Sequence, residues 1–341
     1  VSGPTPSFIF ATCNPGSEPS LKAEFKAAHG DALLPAFMRP GLITWKVLRE
    51  DVRLRSEYVF AHVAGHSLGI ARDENEISNL LAKLERKPVH THYIPRAFPE
   101  NGWSQSEWLS FDQRGAGIAA RLNAQYPCPP AKLKPGDLIL DVVIGDADEP
   151  AFLGAHIHPM VARLIPRVTL PEDAPSRAWL KMEQALAFAG LDGVGRLSGK
   201  TALELGSAPG GASWSLLRRG MKVVGVDTAA MDMRVMDFTS DDGAGFMHIS
   251  ASAGDLAKVA LPPVDVLVSD MNLAPPVALK YIERLHHRVK AASLVLTLKM
   301  NDREMESKIP AFLAQISAFA KGTVRAAQLP ANRREITVVV T

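Results

Sequence analysis

The sequence predicts an α/β fold: a mostly parallel sheet with helices on both faces over residues 176–341, preceded by a smaller α+β unit. Three observations predict it. From Thr201 onward, short runs of branched apolar residues alternate with helical patterns, which is how successive strand–helix–strand units read. The first of these runs breaks into Gly206-Ser207-Ala208-Pro209-Gly210-Gly211 and then opens Ser213-Trp214-Ser215-Leu216-Leu217. A strand that turns on glycines into a helix makes a nucleotide crevice at the carboxyl edge of such a sheet. Third, the segment 166–175 carries three prolines in ten residues and no periodicity, the mark of a boundary. The chain therefore divides into residues 1–165, a linker at 166–175 and a domain at 176–341.

Within the second part, Lys181–Ala189 reads as a helix, Thr201–Leu205 as the first strand and Met221–Val226 as the second, ending at Asp227. Val264–Ser269 is a further strand, ending at Asp270. Val277–Ala291 reads as a helix, Ser293–Leu298 as a strand ending at Lys299, and Glu304–Ala320 as a helix. Thr323–Gln328 and Ile336–Val340 close the pattern. The short link between these last two leaves no room for a helical crossover, so they should run antiparallel. The first half is less legible. Phe8–Thr12, Ile43–Val47 and Leu138–Val143 read as strands, Ser20–Ala28 and Ile77–Arg86 as helices.

Composition bounds the function. With 22% charged and 47% hydrophobic residues the chain is ordinary globular protein. No apolar run approaches the roughly 20 residues of a membrane span and no signal-peptide pattern opens the chain, so a cytoplasmic protein without membrane contact is expected. Cys13 and Cys128 are the only cysteines, which excludes a disulfide framework or a zinc ribbon. His90 with His92, and His156 with His158, share strand faces, but spacing suggests no third ligand, so surface or partly buried histidines without metal are expected. The net charge of +2 does not by itself announce a nucleic-acid binder. Basic residues do gather at Arg163, Arg167, Arg177 and Lys181, at Arg284 to Lys290, and at Arg333-Arg334. Phosphate contacts would follow if these shared a face.

The chemistry-bearing positions fall at the ends of predicted elements. The glycine turn lacks the G-x-G-x-x-G spacing of a dinucleotide site, and with Glu204 it reads as the E/D-x-G-x-x-P-G-G loop of enzymes that use S-adenosylmethionine. Asp227, at the end of the next strand, suits both hydroxyls of an adenosine ribose. Asp270 and Lys299 end the strands that follow, and Glu335 opens the last.

The run Ser176-Arg177-Ala178-Trp179-Leu180-Lys181 closely resembles the S-R-A-x-x-K signature of RNA ribose 2′-O-methyltransferases of the FtsJ/RrmJ type. That resemblance implies a Lys-Asp-Lys-Glu catalytic tetrad, matched in order by Lys181, Asp270, Lys299 and Glu335. It implies a Rossmann-like class I methyltransferase sheet, S-adenosylmethionine as cofactor and no metal. The matching cofactor positions are Ser176, Glu204, Gly206, Ala208, Pro209, Gly210, Gly211, Trp214, Asp227, Ser252 and Asp270. The linker followed by Ser176-Arg177 resembles the RlmM-type members, as does, more thinly, Cys13-Asn14-Pro15-Gly16-Ser17-Glu18. These methylate a cytidine ribose of large-subunit ribosomal RNA and carry an N-terminal THUMP-type RNA-binding region. The resemblance implies ribosomal RNA or an assembling large subunit as partner, and no stable protein partner. The chain departs from the family in having Ser250-Ala251-Ser252 where an acid often meets the adenine, and Glu204 where aspartate is common.

Under this reading Lys299 acts on the acceptor hydroxyl. A neutral amine would take its proton, whereas an ammonium would only orient the oxygen. Lys181 would lower the pKa of Lys299, and Asp270 and Glu335 would raise it. Asp270 would orient Lys299 beside the methionine part of the cofactor, and Glu335 would position Lys181 and the ribose. Two rival readings stand beside it. An RNA-binding or ribosome-assembly factor could keep the fold without catalysis. A nicotinamide-dependent oxidoreductase would leave the tetrad unexplained.

Overall fold

The structure is a computed structural model that describes residues 7–98, 102–125, 133–146, 149–158, 167–241 and 243–341. Cys128, Arg163 and Pro166, all invoked above, lie outside the described residues. The chain forms two compact units, one from Val1–Pro99 and Trp103–Arg163, the other from Glu100–Gly102 and Leu164–Thr341.

The first unit runs β1 (Phe8–Thr12), α1 (Glu18–His29), β2 (Leu33–Arg39), β3 (Leu42–Val47), β4 (Val63–Ala71), α2 (Glu74–Leu81), β5 (His90–Pro95), α3 (Gln105–Gln125), β6 (Leu138–Ile144) and β7 (Ala151–Ile157). Its seven strands pair in the order β2-β3-β1-β4-β7-β6-β5. Every pair is antiparallel except β5 with β6. The helices share one face: Phe25 of α1 stacks on Trp45 at 4.3 Å, and α2 and α3 bring Leu80 and Phe111 onto Leu140, Val142 and Leu153. On the other face Phe10 meets Phe152 at 5.2 Å beside Val63, Ile94 and Val143.

Gly154 is bound to this packing, because a Cβ there would run into the Phe10 ring. Phe10→Ala is expected to destabilise the first unit by about 3–5 kcal/mol, the cost of emptying a buried aromatic site. Urea unfolding followed by hydrogen exchange of the β1 and β3 amides would read it.

The expected helix Ile77–Arg86 is displaced toward the N-terminus, because Asp73 caps it through the Glu76 N–H at 2.9 Å and it closes at Ala82. His156 is buried, with Nδ1 2.6 Å from the fully buried Asp141 on β6, and His92 approaches the same carboxylate at 3.4 Å. Among the described residues no group of three His, Cys, Asp or Glu side chains could hold a metal ion.

The second unit runs α4 (Ala178–Ala189), β8 (Thr201–Leu205), α5 (Gly211–Leu217), β9 (Lys222–Val226), α6 (Met233–Met236), β10 (Gly245–Ile249), β11 (Val266–Ser269), α7 (Pro275–Val289), β12 (Ser293–Lys299), α8 (Arg303–Ser307), α9 (Ile309–Phe319), β13 (Val324–Ala327) and β14 (Glu335–Val340). The sheet order is β10-β9-β8-β11-β12-β14-β13. The first five are parallel, and β14 runs antiparallel between β12 and β13. α4 and α5 press Met182, Leu186, Leu216 and Leu217 onto Ala202, Val223, Val266 and Val295. Leu279, Ile282 and Phe312, from α7 and α9, are also buried.

Two readings of this half need correction. The single helix expected over Glu304–Ala320 is two, because Pro310 in the first turn of α9 lacks the N–H that a continuous helix would use. The edge strand β10 escaped the pattern, since its residues are half-exposed and carry no apolar run.

Strand order reverses between β8 and β11: from β8 the chain winds outward through β9 and β10, then returns to β11 and β12. Ligands in open α/β sheets sit in the crevice at such a reversal, outside the carboxyl ends of the strands.

Candidate active site at the strand reversal

Gly206 and Asp270 end the two strands that flank the reversal. Gly206 has φ of +78°, and a Cβ there would lie 2.9 Å from the Asp270 carbonyl oxygen. Only glycine fits, on both counts. Gly210 has φ of +114° and leaves 2.6 Å between a notional Cβ and Val235. Gly211 opens α5, where a Cβ would collide with the Ser176 side chain. The three glycines therefore let the turn fold tightly at the strand ends.

The turn is tied to β9 through Asp227. One Asp227 oxygen accepts the Ala208 N–H at 3.0 Å, and the other accepts the Ala229 N–H at 2.9 Å. A carboxylate oxygen can accept a second bond, so Asp227 keeps acceptor capacity while holding the loop.

Glu204 lies deeper, 1% exposed, and accepts the Ser213 hydroxyl of α5 at 2.6 Å. Burial pushes its pKa up to about 8 despite that bond, and Asp270 and Asp227 add to the rise. Ser213 was not singled out in the sequence, although it lies two residues beyond the glycine turn. Pro209 presents its carbonyl to the Asp232 N–H at 3.0 Å. Trp214 stands edge-on to Phe238 at 5.5 Å. Ser252 donates to Asp255 at 2.5 Å, which sets a carboxylate against the serine from three residues on.

Lys181, Asp270, Lys299 and Glu335 form a closed ring of alternating charge. Lys299 Nζ is 2.7 Å from Asp270 and 2.6 Å from Glu335. Lys181 Nζ is 2.6 Å from Glu335 and 3.3 Å from Asp270. The topology explains the convergence. Asp270 follows β11 and Lys299 ends β12, both parallel strands. Glu335 starts β14, whose reversed direction brings its beginning to the same edge, with Lys299 and Glu335 paired on one rung. Lys181 reaches in from the first turn of α4.

Burial alone would lower the pKa of Lys299. The Asp270 and Glu335 charges and their hydrogen bonds outweigh it and hold the group above the ordinary lysine value. Burial would raise Glu335, but Lys181 and Lys299 pull it below the usual carboxylate range. Lys299 thus rests as an ammonium and Glu335 as a carboxylate.

The basic groups are only partly available. Arg177 donates to the Ala331 carbonyl, and Arg288 to the carbonyls of Leu256 and Val259. Arg333 and Arg334, both exposed, directly precede Glu335.

Residues 174–317 match the sequence profile of the FtsJ-like methyltransferase family. The chain is 31% identical over 181 residues to Ribosomal RNA large subunit methyltransferase M of Cellvibrio japonicus (strain Ueda107), covering 51% of this chain and 50% of that one. It is 35% identical over 180 residues to the protein of the same name from Laribacter hongkongensis (strain HLHK9), covering 50% and 49%. The matches thus span about half the length of these curated relatives. Among solved structures, TrmN from Thermus thermophilus is similar over 98% of this chain and 99% of its own, at 17% identity and a TM-score of 0.35. Matched by this profile over residues 174–317 and built on this sheet, the second unit has a Rossmann-like methyltransferase fold and is similar to the FtsJ-like methyltransferases.

Proposed function

We propose that the chain is an S-adenosylmethionine-dependent RNA ribose 2′-O-methyltransferase whose substrate is large-subunit ribosomal RNA, at a cytidine. The closed Lys181–Asp270–Lys299–Glu335 ring at the strand reversal carries the reading. The cofactor fits the residues present: the tightly folded glycine turn lies at the carboxyl ends of the strands flanking the reversal, and Asp227 offers acceptors beside it. S-adenosylmethionine supplies an activated methyl group on a sulfonium sulfur. Gly206, Ala208, Pro209, Gly210 and Gly211 would cradle it, with Asp227 on its ribose and Ser252 and Asp255 toward its base.

Lys299 enters as an ammonium, since its pKa is raised. Its role on the 2′-hydroxyl is therefore to donate to the oxygen and aim a lone pair at the methyl carbon. Asp270 and Glu335 hold that ammonium from two sides, and Lys181 keeps the second pair of carboxylate oxygens compensated. As the new O–C bond forms and the methyl–sulfur bond breaks, the hydroxyl proton would pass to solvent water, since the Lys299 ammonium cannot accept it. Residues 1–165 would dock the RNA, joined by the linker at 166–175, in a THUMP-like role, because RNA is read through shape, phosphates and splayed bases over a larger surface than the sheet edge offers.

Transfer of a tritiated methyl group from S-adenosylmethionine to unmodified large-subunit RNA tests this. An alkali-stable labelled dinucleotide is expected, because a 2′-O-methyl group blocks alkaline cleavage. Cofactor binding without any transfer would instead favour the assembly-factor reading.

A division of labour follows. Asp227→Ala is expected to weaken S-adenosylhomocysteine binding by about 10- to 100-fold, the worth of a charge-assisted hydrogen bond. Lys299→Ala should change it less than about three-fold, because Lys299 faces the acceptor. Calorimetry showing equal losses would reject these assignments.

A further inference from the structure

One end of the first sheet, formed by β1, β3 and β2, changes character on the face opposite the helices. Phe10 is fully buried there. One step outward, Phe8, Lys46 and Leu34 lie in register across the three strands. Phe8 is 39% exposed, Leu34 is 53% exposed, and Lys46 is exposed as well. Phe37, 38% exposed, continues the rung of Phe10 and Thr44. The Arg39 guanidinium lies 5.2 Å from the centre of its ring. These strands, FIFAT, LLPAFMR and LITWKV, contain no carboxylate. Glu149 approaches Arg39 at 3.8 Å, while Lys46 has no ion pair among the described residues.

The outermost strand is poorly suited to pairing with a second copy. Pro35 removes an N–H from β2, and the register shifts between Pro35 and Phe37; both devices spoil an edge for another strand. An aliphatic partner laid on the face would strand the Lys46 ammonium away from water without a counter-charge. Unpaired nucleotides satisfy both halves of the surface, since bases stack on rings without regard to sequence and phosphates meet the cations.

We propose that this face is a docking platform for single-stranded RNA, with bases on Phe8 and Phe37 and the phosphate backbone along Lys46 and Arg39. The choice of RNA as partner rests on the methyltransferase reading; the surface is new to it.

The test uses the full chain, a short fluorescein-labelled oligouridine and a duplex of equal length, with anisotropy read at several salt concentrations. Phe8→Ala and Phe37→Ala should each weaken oligouridine binding about five-fold or more, the loss of one base–aromatic stack. Phe37→Trp should keep it. Lys46→Gln should flatten the log–log salt dependence by about 0.7, one phosphate contact on a single strand. None of these should change S-adenosylhomocysteine binding.

Wild-type affinity in the double Phe8→Ala/Phe37→Ala variant, or preference for the duplex, overturns the proposal. So does sedimentation showing a wild-type dimer that the double variant splits, which would make the face a self-interface. The two readings fail separately. Loss of RNA affinity in a chain that never binds S-adenosylhomocysteine leaves the platform and removes the methyltransferase. Retained RNA affinity in a chain that does bind it removes only the platform.

Discussion

Lys299→Met is expected to lower the single-turnover rate of methyl transfer by about 10²–10³, the range that loss of one preorganised hydrogen-bond donor commands. The lysine meets Asp270 at 2.7 Å and Glu335 at 2.6 Å. Its removal also leaves a largely buried Glu335 with Lys181 as its remaining partner. Breaking such a pair costs about 3–5 kcal/mol in buried settings, so lost activity alone would be ambiguous. The double variant Lys299→Met/Glu335→Gln separates the effects. It removes one charge of each sign, and its melting temperature should recover toward wild type while its rate stays low. Recovery of both would mean that the ring is structural. A rate within ten-fold of wild type in the single variant would remove Lys299 from the chemistry.

The second large effect is on stability. Glu204 is pushed up to about 8 by burial, with Asp270 and Asp227 adding to the rise, whereas an unfolded glutamate titrates near 4.3. Between those values the folded chain holds a proton that the unfolded chain has released. Stability is therefore full below about pH 4 and is lost progressively as pH rises through about 8. Glu204→Gln stays neutral, and a neutral amide oxygen can still accept the Ser213 hydroxyl. The variant should melt close to wild type at pH 5 and above it at pH 9, by an amount on the order of several kcal/mol. Calorimetric scans between those pH values check it. A difference in melting temperature that does not change with pH would mean that Glu204 is ionised throughout.

Legibility from sequence followed burial. β8, β9, β11, β12 and β14 are buried almost throughout, and each reads as a short apolar run with a charged or glycine residue at its end. That is why Asp227, Asp270, Lys299 and Glu335 could be picked out, and why they converge. β2 was hidden by Pro35, β4 by two glycines and α3 by Gly115 and Gly117. Spacing also could not reveal partnerships between distant residues. Asp141 looked like one polar position in a strand, yet two histidines from the neighbouring strands meet it. Nor did spacing show that Ser252 is bonded to Asp255. The charge state of Lys299 needed distances, because its neighbours act in opposite directions.

The antiparallel insertion of β14 between β12 and β13 has a consequence for biosynthesis. Chains emerge from the ribosome N-terminal end first, at roughly 5–20 residues per second, and β14 is the last strand of this sheet to appear. Until residue 340 has cleared the exit, β12 and β13 have nothing between them, and Lys299 has no rung partner. The glycine turn and Asp227, by contrast, are complete more than 100 residues earlier. A nascent chain can therefore shape its glycine turn well before it can assemble its ring of charges, and that ring closes only when the last strand of this sheet is in place.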